Sequence, residues 1–259
     1  MNISVCIATY NGERYIKDQL ESILIQLGDD SEVIVSDDGS TDRTLDIIRL
    51  LNDKRIKIFE NKNRKGFVSN FENALRQSSG KYIFLSDQDD YWLPDKVNVI
   101  LKHLENYLLV CSNGKLTDEN LNVFDESFFE YLNAGTGILK NFFKIRYYGF
   151  GMAFRKELLE FALPFPNQKF VGHDMMLGVL ADYMKSSFFE WTPLTLYRRH
   201  GNNISTVRLD KMSILYNMLN PRKLVRLIYS RIITFYVFII LYIRVVSIGR
   251  QKRFNNFNN

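Results

Sequence analysis

The stretch "FLSDQDDYWLPDK", Phe84 to Lys96, carries three carboxylates, Asp87, Asp89 and Asp90, with one amide, Gln88, among them. Like charges a few ångströms apart repel, so an uncompensated cluster at the end of an apolar run costs stability. Something positive must offset it, either a divalent cation or a basic side chain. Hard cations such as Mg²⁺ and Mn²⁺ take one or two carboxylates together with phosphate oxygens. A cation here would neutralise the cluster and hold a diphosphate at once. Ordinary helix capping uses one carboxylate and not three.

Further polar clusters stand at comparable breaks. Thr9-Tyr10-Asn11-Gly12 follows "ISVCIA", and Asp37-Asp38-Gly39-Ser40 follows "SEVIVS". Taken alone, the first reads as a turn into a helix and the second as turn chemistry with a helix cap. Asp174 opens the apolar stretch of "FVGHDMMLGVLADYM", where position alone suits a capping carboxylate. His200 lies in the polar turn "RRHGNN" beside Arg198 and Arg199. Guanidinium groups pair well with phosphate oxygens.

The elements that must position these residues alternate. "ISVCIATY" is a near-continuous apolar run, suited to a strand buried on both faces. Ile16, Leu20, Ile23, Leu24 and Leu27 then recur at helical spacing. "SEVIVSDDGS" supplies a second strand, "TDRTLDIIRLL" a capped helix and "KRIKIFEN" a third strand. Phe67, Phe71, Ala74 and Leu75 mark the next helix, "KYIFLS" the fourth strand, and Val97, Ile100, Leu101 and Leu104 the helix after it. This alternation predicts an α/β fold with parallel strands. Ligands in such sheets bind beyond the carboxyl ends of the strands, where three of the polar clusters fall.

Composition narrows the function. The 259 residues are 46% hydrophobic and 24% charged, enough for a sizeable core. Cys6 and Cys111 lie far apart in apolar runs without metal-type spacing, so buried free thiols in a reducing compartment are expected. The first residues show neither a basic start nor an apolar h-region, which reads as no signal peptide and a cytoplasmic location. The net charge of +5 is unevenly placed. From Lys211 to Asn259 there are nine basic residues and no Asp or Glu, leaving −4 for the first 210 residues. A nucleic-acid binder would explain that tail but leave the aspartate cluster idle, so no nucleic acid is expected as partner. A nucleotidyltransferase, the remote alternative, should show a glycine-rich basic loop after its first strand, and "TYNGERYI" is not one.

The ordered set "ATYNGERYI", "VSDDGSTD", "NKNRKGFVSNFENAL", "LSDQDDYWLPDK", "GHD" and "YRRHGNN" resembles family 2 glycosyltransferases over roughly residues 1–206. The form "SDQDDYWLPDK" with "RRHGNNIS" looks most like bacterial rhamnosyltransferases of cell-surface polysaccharide synthesis. The resemblance implies an inverting enzyme with a GT-A fold, a mostly parallel central sheet and a metal cofactor, Mn²⁺ or Mg²⁺. It places Ala8, Thr9 and Tyr10 at the nucleobase and has Asp38 accept from a uracil or thymine imide, a task for a group that only accepts. Asp87 and Asp89 match the family's D-x-D, with Asp89 the direct metal ligand and Asp87 closer to the ribose, and Asp90 supporting the loop. His200 matches a C-terminal histidine that adds a metal contact, and Arg198 or Arg199 would offset diphosphate charge. Asp174 matches the general base, which takes the acceptor's proton. The family's usual acidic pair is replaced by His173-Asp174, leaving His173 to orient the carboxylate or to contact the acceptor. The donor implied first is dTDP-rhamnose, with UDP-hexoses as the alternative.

The tail, residues 207–259, reads separately from the domain at 1–206. Its apolar run, Ile232 to Ile243, is bounded by Arg231 and Arg244. Twelve helical residues reach about 18 Å, short of a bilayer core of about 30 Å unless the arginines snorkel. A helix lying in the interface of an anionic membrane surface is expected, with a homodimer contact or packing on the core as alternatives. The enzyme would then be cytoplasmic and peripheral on the inner face of the cell membrane, facing a lipid-linked saccharide acceptor. Removing residues 222–259 should on this reading leave a soluble, donor-binding body.

Overall fold

The apolar runs become the centre of a sheet. In the computed structural model, which describes residues 2–144, 146–168, 171–201 and 221–257, the first strands are β1 (Ile3–Thr9), β2 (Glu32–Asp37), β3 (Ile56–Glu60) and β4 (Tyr82–Ser86). Their connections are α1 (Ile16–Leu24), α2 (Thr44–Leu50) and α3 (Phe67–Gln77). All three pairings among these strands are parallel, in the order β3-β2-β1-β4. β1 is interior, and its alternate residues serve two cores. Val5 and Ile7 pack with Ile16, Leu20 and Ile23 of α1, while Cys6 packs with Phe71, Ala74 and Leu75 of α3. That is the period-2 alternation of a strand covered on both faces. Register pairs Thr9 with Asp37 and Ile7 with Ser86, so three polar clusters reach one edge of the sheet.

Beyond β4 the sheet is mixed. There follow β5 (Tyr91–Trp92), α4 (Lys96–Leu104), β6 (Leu109–Thr117), β7 (Val123–Asp125), α5 (Phe128–Leu132), α6 (Ile138–Phe143), β8 (Met152–Arg155), α7 (Leu159–Ala162), α8 (His173–Tyr183) and β9 (Ser187–Arg198). β8 runs antiparallel to β4 and β6, whereas β9 is parallel to β6 and antiparallel to β5. The full order is β3-β2-β1-β4-β8-β6-β9-β5, with β7 on β6. The α/β expectation is borne out, as are the two buried free thiols.

The tail differs from a detached appendage. α9 (Pro221–Phe257) lays Ile233, Val237, Phe238 and Leu241 into the same core as α7 and α8. Arg231 donates from Nη1 to the Phe142 carbonyl at 2.8 Å, and Arg244 donates to the carbonyls of Phe161 at 3.3 Å and Ala162 at 2.8 Å. The two arginines that bound the apolar run therefore hold the helix to the domain and do not snorkel. They interrupt the run in sequence without interrupting the helix. Val225–Gly249, 25 residues, is long and apolar enough to cross a membrane, so length alone does not exclude spanning. The boundary at residue 206/207 and the "NNIS" part of the C-terminal motif lie outside the described residues.

With Leu241 fully buried under α9, Leu241→Ala should lower the unfolding free energy by about 2–5 kcal/mol, the usual cost of a large-to-small core change. Urea denaturation reads this directly. An unmoved midpoint would mean that the helix is not part of the folded core. Removal of residues 222–259 is now expected to expose that core and cause aggregation, not to yield a more soluble body.

Candidate active site

β4 ends at the buried Ser86, and the chain turns through Asp87 to Asp90 into β5. The lone amide in this cluster has a structural task. Gln88 accepts from the Tyr10 backbone N–H at 2.9 Å and donates to the Tyr10 carbonyl at 3.0 Å. It thereby ties the loop after β4 to the loop after β1, which a carboxylate, able only to accept, would not do. Gly12 makes room, since a Cβ there would collide with the Gln88 amide.

The cluster's compensation comes first from within the chain. Lys96, on the first turn of α4, is almost fully buried. Its Nζ donates to the Phe150 carbonyl at 2.9 Å and to Thr195 Oγ1 at 2.6 Å, and lies 4.5 Å from the Trp92 ring centroid. Burial pulls its pKa down to about 7, opposed by the charges of Asp90 and Asp87. Burial also pushes Asp87 up to about 7, with Asp89 and Asp174 adding to the rise and Lys96 opposing it. Asp90 is buried, accepts at Oδ1 from the Arg198 N–H at 3.0 Å, and has no hydrogen-bond partner at Oδ2 among the described residues. Its pKa stands well above the carboxylate range, first through burial and then through Asp89 and Asp87. Asp90 thus sits inside the fold, supporting the loop.

Asp89 faces the other way. His200 Nε2 lies 2.8 Å from Asp89 Oδ2, and its ring stacks on Tyr15 at 4.7 Å between centroids. The Arg198 guanidinium also lies over Tyr15, 4.6 Å from the ring centroid, while donating to the Glu119 carbonyl at 3.1 Å. Arg198 is the arginine turned inward. Arg199 is half-buried, and its N–H donates to the Thr117 carbonyl at 2.8 Å. The Asp89–His200 pair offers one hard oxygen and one imidazole nitrogen, a donor set suited to Mn²⁺ and leaving room for phosphate oxygens. Among the described residues no three His, Cys, Asp or Glu side chains converge as one cation site, so Asp87 does not complete a three-ligand set with that pair.

Asp174 lies in the first turn of α8, half-buried. Its Oδ1 accepts from the Met175 N–H at 2.8 Å. Burial raises its pKa to about 6, while backbone N–H groups of Met175 and Gly149 pull it down. His173 does not orient it. The imidazole is buried and stacked on Phe71 at 4.1 Å, with Phe67 and Phe165 beside it, and neither ring nitrogen has a hydrogen-bond partner among the described residues. Burial depresses its pKa to about 3, so it stays neutral.

On the opposite side stand the residues expected at the nucleobase. Thr9 turns inward, its Oγ1 donating to Asp37 Oδ1 at 2.8 Å. Asp37 also gathers the N–H groups of Gly39 and Ser40 at 2.9 and 2.8 Å, so it organises the turn. Asp38 accepts from Asn61 Nδ2 and from the Gly66 N–H, both at 2.8 Å, with Lys65 Nζ 3.8 Å away. Two of its roughly four lone-pair sites are thereby used. Ala8 is half-buried and Tyr10 is 56% exposed beside it.

The family model described as Glycosyl transferase family 2 matches residues 4–161. The chain belongs to glycosyltransferase family 2. It is 33% identical over 215 residues to the GalNAc(5)-diNAcBac-PP-undecaprenol β-1,3-glucosyltransferase of Campylobacter jejuni, covering 81% of this chain and 68% of the relative. It is 30% identical over 221 residues to the dTDP-rhamnosyl transferase RfbG of Shigella flexneri, covering 76% and 72%. In structure it is similar to glucosyl-3-phosphoglycerate synthase from Mycobacterium tuberculosis, solved with Mn²⁺, UDP-glucose and phosphoglyceric acid. That match has a TM-score of 0.57 at 19% identity and covers 89% of this chain and 79% of the other. The fold is GT-A, and the enzyme is a glycosyltransferase.

Lys96 is the site residue that sequence reasoning missed, although it closes the stretch on which that reasoning began. In this glycosyltransferase, Lys96→Met removes the buried amine whose charge opposes those of Asp90 and Asp87. Leaving a buried carboxylate without its compensating charge costs about 3–5 kcal/mol at most. The folded-state pKa of Asp87 is raised to about 7 and that of Lys96 is lowered to about 7, so the carboxylate is neutral at pH 5 and the amine is neutral at pH 9. The deficit should therefore be largest near pH 7 and smaller at pH 5 and pH 9. Denaturation curves at the three values, with chelator present, check this, and a pH-independent deficit would assign Lys96 to packing alone.

Proposed function

We propose that this glycosyltransferase moves a sugar, with inversion, from a nucleotide-sugar donor to a hydroxyl of a growing lipid-linked bacterial surface saccharide. L-Rhamnose from dTDP-rhamnose is the leading donor, supported by the likeness to the Shigella dTDP-rhamnosyl transferase. A UDP-hexose is the second reading, supported by the glucosyltransferase relative from Campylobacter. The observation that carries the proposal is the convergence at the carboxyl edge of β1, β2 and β4 of Asp87 with the His200-paired Asp89 and with Asp174, both near enough for their charges to raise the pKa of Asp87.

In this reading Ala8, Thr9 and Tyr10 border the nucleobase, Thr9 through its backbone, and Asp38 accepts from the base imide with its remaining lone pairs. Asp87 stands near the ribose, and Arg198 or Arg199 offsets the diphosphate charge. Asp89 and His200 would hold the divalent cation. Bound there, it supplies Lewis-acid stabilisation of the departing nucleoside diphosphate. Asp174 takes the proton from the acceptor hydroxyl as that oxygen bonds to the anomeric carbon and the diphosphate leaves from the opposite face. His173, neutral and stacked, gives this region an apolar wall. The acceptor class places the enzyme on the cytoplasmic, inner face of the cell membrane.

Incubating the full chain with a panel of dTDP- and UDP-sugars and Mn²⁺, and measuring release of the nucleotide, tests the donor. Turnover of dTDP-rhamnose above the UDP-hexoses is expected, and no turnover of any sugar nucleotide would overturn the reading.

Two variants separate the roles. Asp89→Asn should fold normally and lose about two orders of magnitude in transfer, equivalent to roughly 2.7 kcal/mol of transition-state stabilisation. Activity close to wild type in EDTA would remove the metal from the scheme. Asp174→Asn should bind donor as before but transfer about 10²–10⁴-fold more slowly. Because only the ionised carboxylate accepts a proton, wild-type kcat/KM should rise with pH through about 6, the raised pKa of Asp174. A flat profile from pH 5 to 8 would argue against Asp174 as the base.

A further inference from the structure

α9 has two apolar faces, and the domain covers only one. The covered face is Ile233, Val237, Phe238 and Leu241, at most 9% exposed. On the outer face Ile228, Ile232, Phe235, Tyr236, Ile239 and Tyr242 stand 40–60% exposed. They recur every three or four residues, a stripe about 21 Å long at ~1.5 Å per residue. α6, packed beside α9 through Phe142, adds the exposed Leu139 and Phe143. Apolar surface this continuous marks an interaction site.

Charge selects its occupant. Every ionisable residue from Lys211 to Asn259 other than tyrosine is basic. A second copy of the helix would set positive charge against positive charge in either orientation. An anionic lipid surface meets it with the opposite sign, and tyrosine and phenylalanine suit the boundary between headgroups and acyl chains. The inner face decides the mode of contact. For lipid to surround α9, Ile233, Val237, Phe238 and Leu241 would have to leave the core. The bonds of Arg231 and Arg244 to Phe142, Phe161 and Ala162, and of Tyr183 Oη to the Phe238 carbonyl at 3.2 Å, would also break.

We propose that α9 docks in the plane of an anionic membrane surface, with the Ile232–Phe235–Ile239 stripe in lipid and the opposite face still packed on α6, α7 and α8. This rests on the membrane placement above and goes beyond it by assigning the residues that touch lipid and excluding a spanning helix. It does not depend on which sugar is moved.

The test uses the full chain and vesicles of phosphatidylcholine with or without phosphatidylglycerol. Co-sedimentation should require phosphatidylglycerol and weaken by at least about tenfold in the triple variant Ile232→Ser, Phe235→Ser, Ile239→Ser, whose thermal transition should stay at the wild-type value. Two single variants then report depth. Against the wild-type background of Trp92 and Trp191, Phe235→Trp fluorescence should be quenched by lipids carrying a quencher on the acyl chain, and Phe238→Trp fluorescence should not. Quenching of both would mean that the helix leaves the domain and spans. Absence of vesicle binding by wild type, or undiminished binding by the triple variant, would overturn the proposal. So would sedimentation showing a lipid-free dimer that the triple variant abolishes, which would give the face to a second copy. Nucleotide release from sugar donors in lipid-free buffer is read separately, so failure of the glycosyltransfer reading and failure of the docking proposal give different results.

Discussion

Asp87, Asp89 and Asp90 leave β4 within four residues, and the free energy of keeping them together has to come from other parts of the chain. Moving a carboxylate out of water costs several kcal/mol even after relaxation. Lys96 supplies a positive charge beneath them, but a buried ammonium is itself costly unless its protons are used. The Phe150 carbonyl and Thr195 hydroxyl use two of them. Arg198 gives its backbone N–H to Asp90, and His200 meets Asp89. Three of these partners, Thr195, Arg198 and His200, arrive at or just beyond β9, more than a hundred residues after the cluster. The two-residue β5 sets the register that makes this possible, pairing Tyr91 with Leu196 and Trp92 with Thr195. The acid cluster therefore has these partners only where β9 lies against β5 and β6.

Local pattern made half of this legible. Apolar runs and helical stripes are properties of a few consecutive residues, so β1 to β4 and α1 to α4 were readable, as was Asp174 at the start of α8. The antiparallel pairing of β8 with β4 and β6 was not, because it depends on contacts between residues about 40 to 70 positions apart. Lys96 was overlooked for a related reason. A lysine after a proline-aspartate turn reads as solvated surface, and only the closing of β9 over it puts it inside. Thr9 was legible as a site position but not in orientation, since its inward turn follows from Asp37 needing a donor. For the same reason the sequence left open whether the tail packs on the domain. Arg231 and Arg244 look like ends of an apolar segment until the carbonyls of Phe142, Phe161 and Ala162 that accept from them are seen beneath.

The carboxylates at this edge are divided by their surroundings into different roles. Among the described residues Asp90 has no donor on its second oxygen, and burial beside two other acids raises its pKa well above the carboxylate range, which suits a structural role. Asp174 has backbone N–H donors that limit the effect of burial, so its pKa stays near 6 and it is ionised at neutral pH. Asp89 faces an imidazole. Environments that push the pKa values of neighbouring acids apart are how one site keeps a proton acceptor beside groups that do not exchange protons. A neutral His173 fits this division. A protonated imidazole next to Asp174 would stabilise the carboxylate and weaken it as a base, and the apolar contacts with Phe71, Phe67 and Phe165 prevent that.

α8 joins the candidate base to the outer helix. Asp174 stands in its first turn, and at its last residue Tyr183 donates to the Phe238 carbonyl and packs its ring against Tyr242 of α9. Nine residues of helix, roughly 14 Å at ~1.5 Å per residue, separate the two. A surface contact made by α9 is therefore transmitted to the site through one packed helix and no flexible linker. The consequence is geometric. With α9 fixed in the plane of a membrane, the orientation of α8 is fixed as well, and Asp174 stands at a set distance from the lipid surface. On the proposal that the acceptor is carried on a lipid and so confined to that surface, the clamp by Arg231 and Arg244 holds Asp174 in a fixed relation to it. It converts an encounter in solution into one whose direction is already determined.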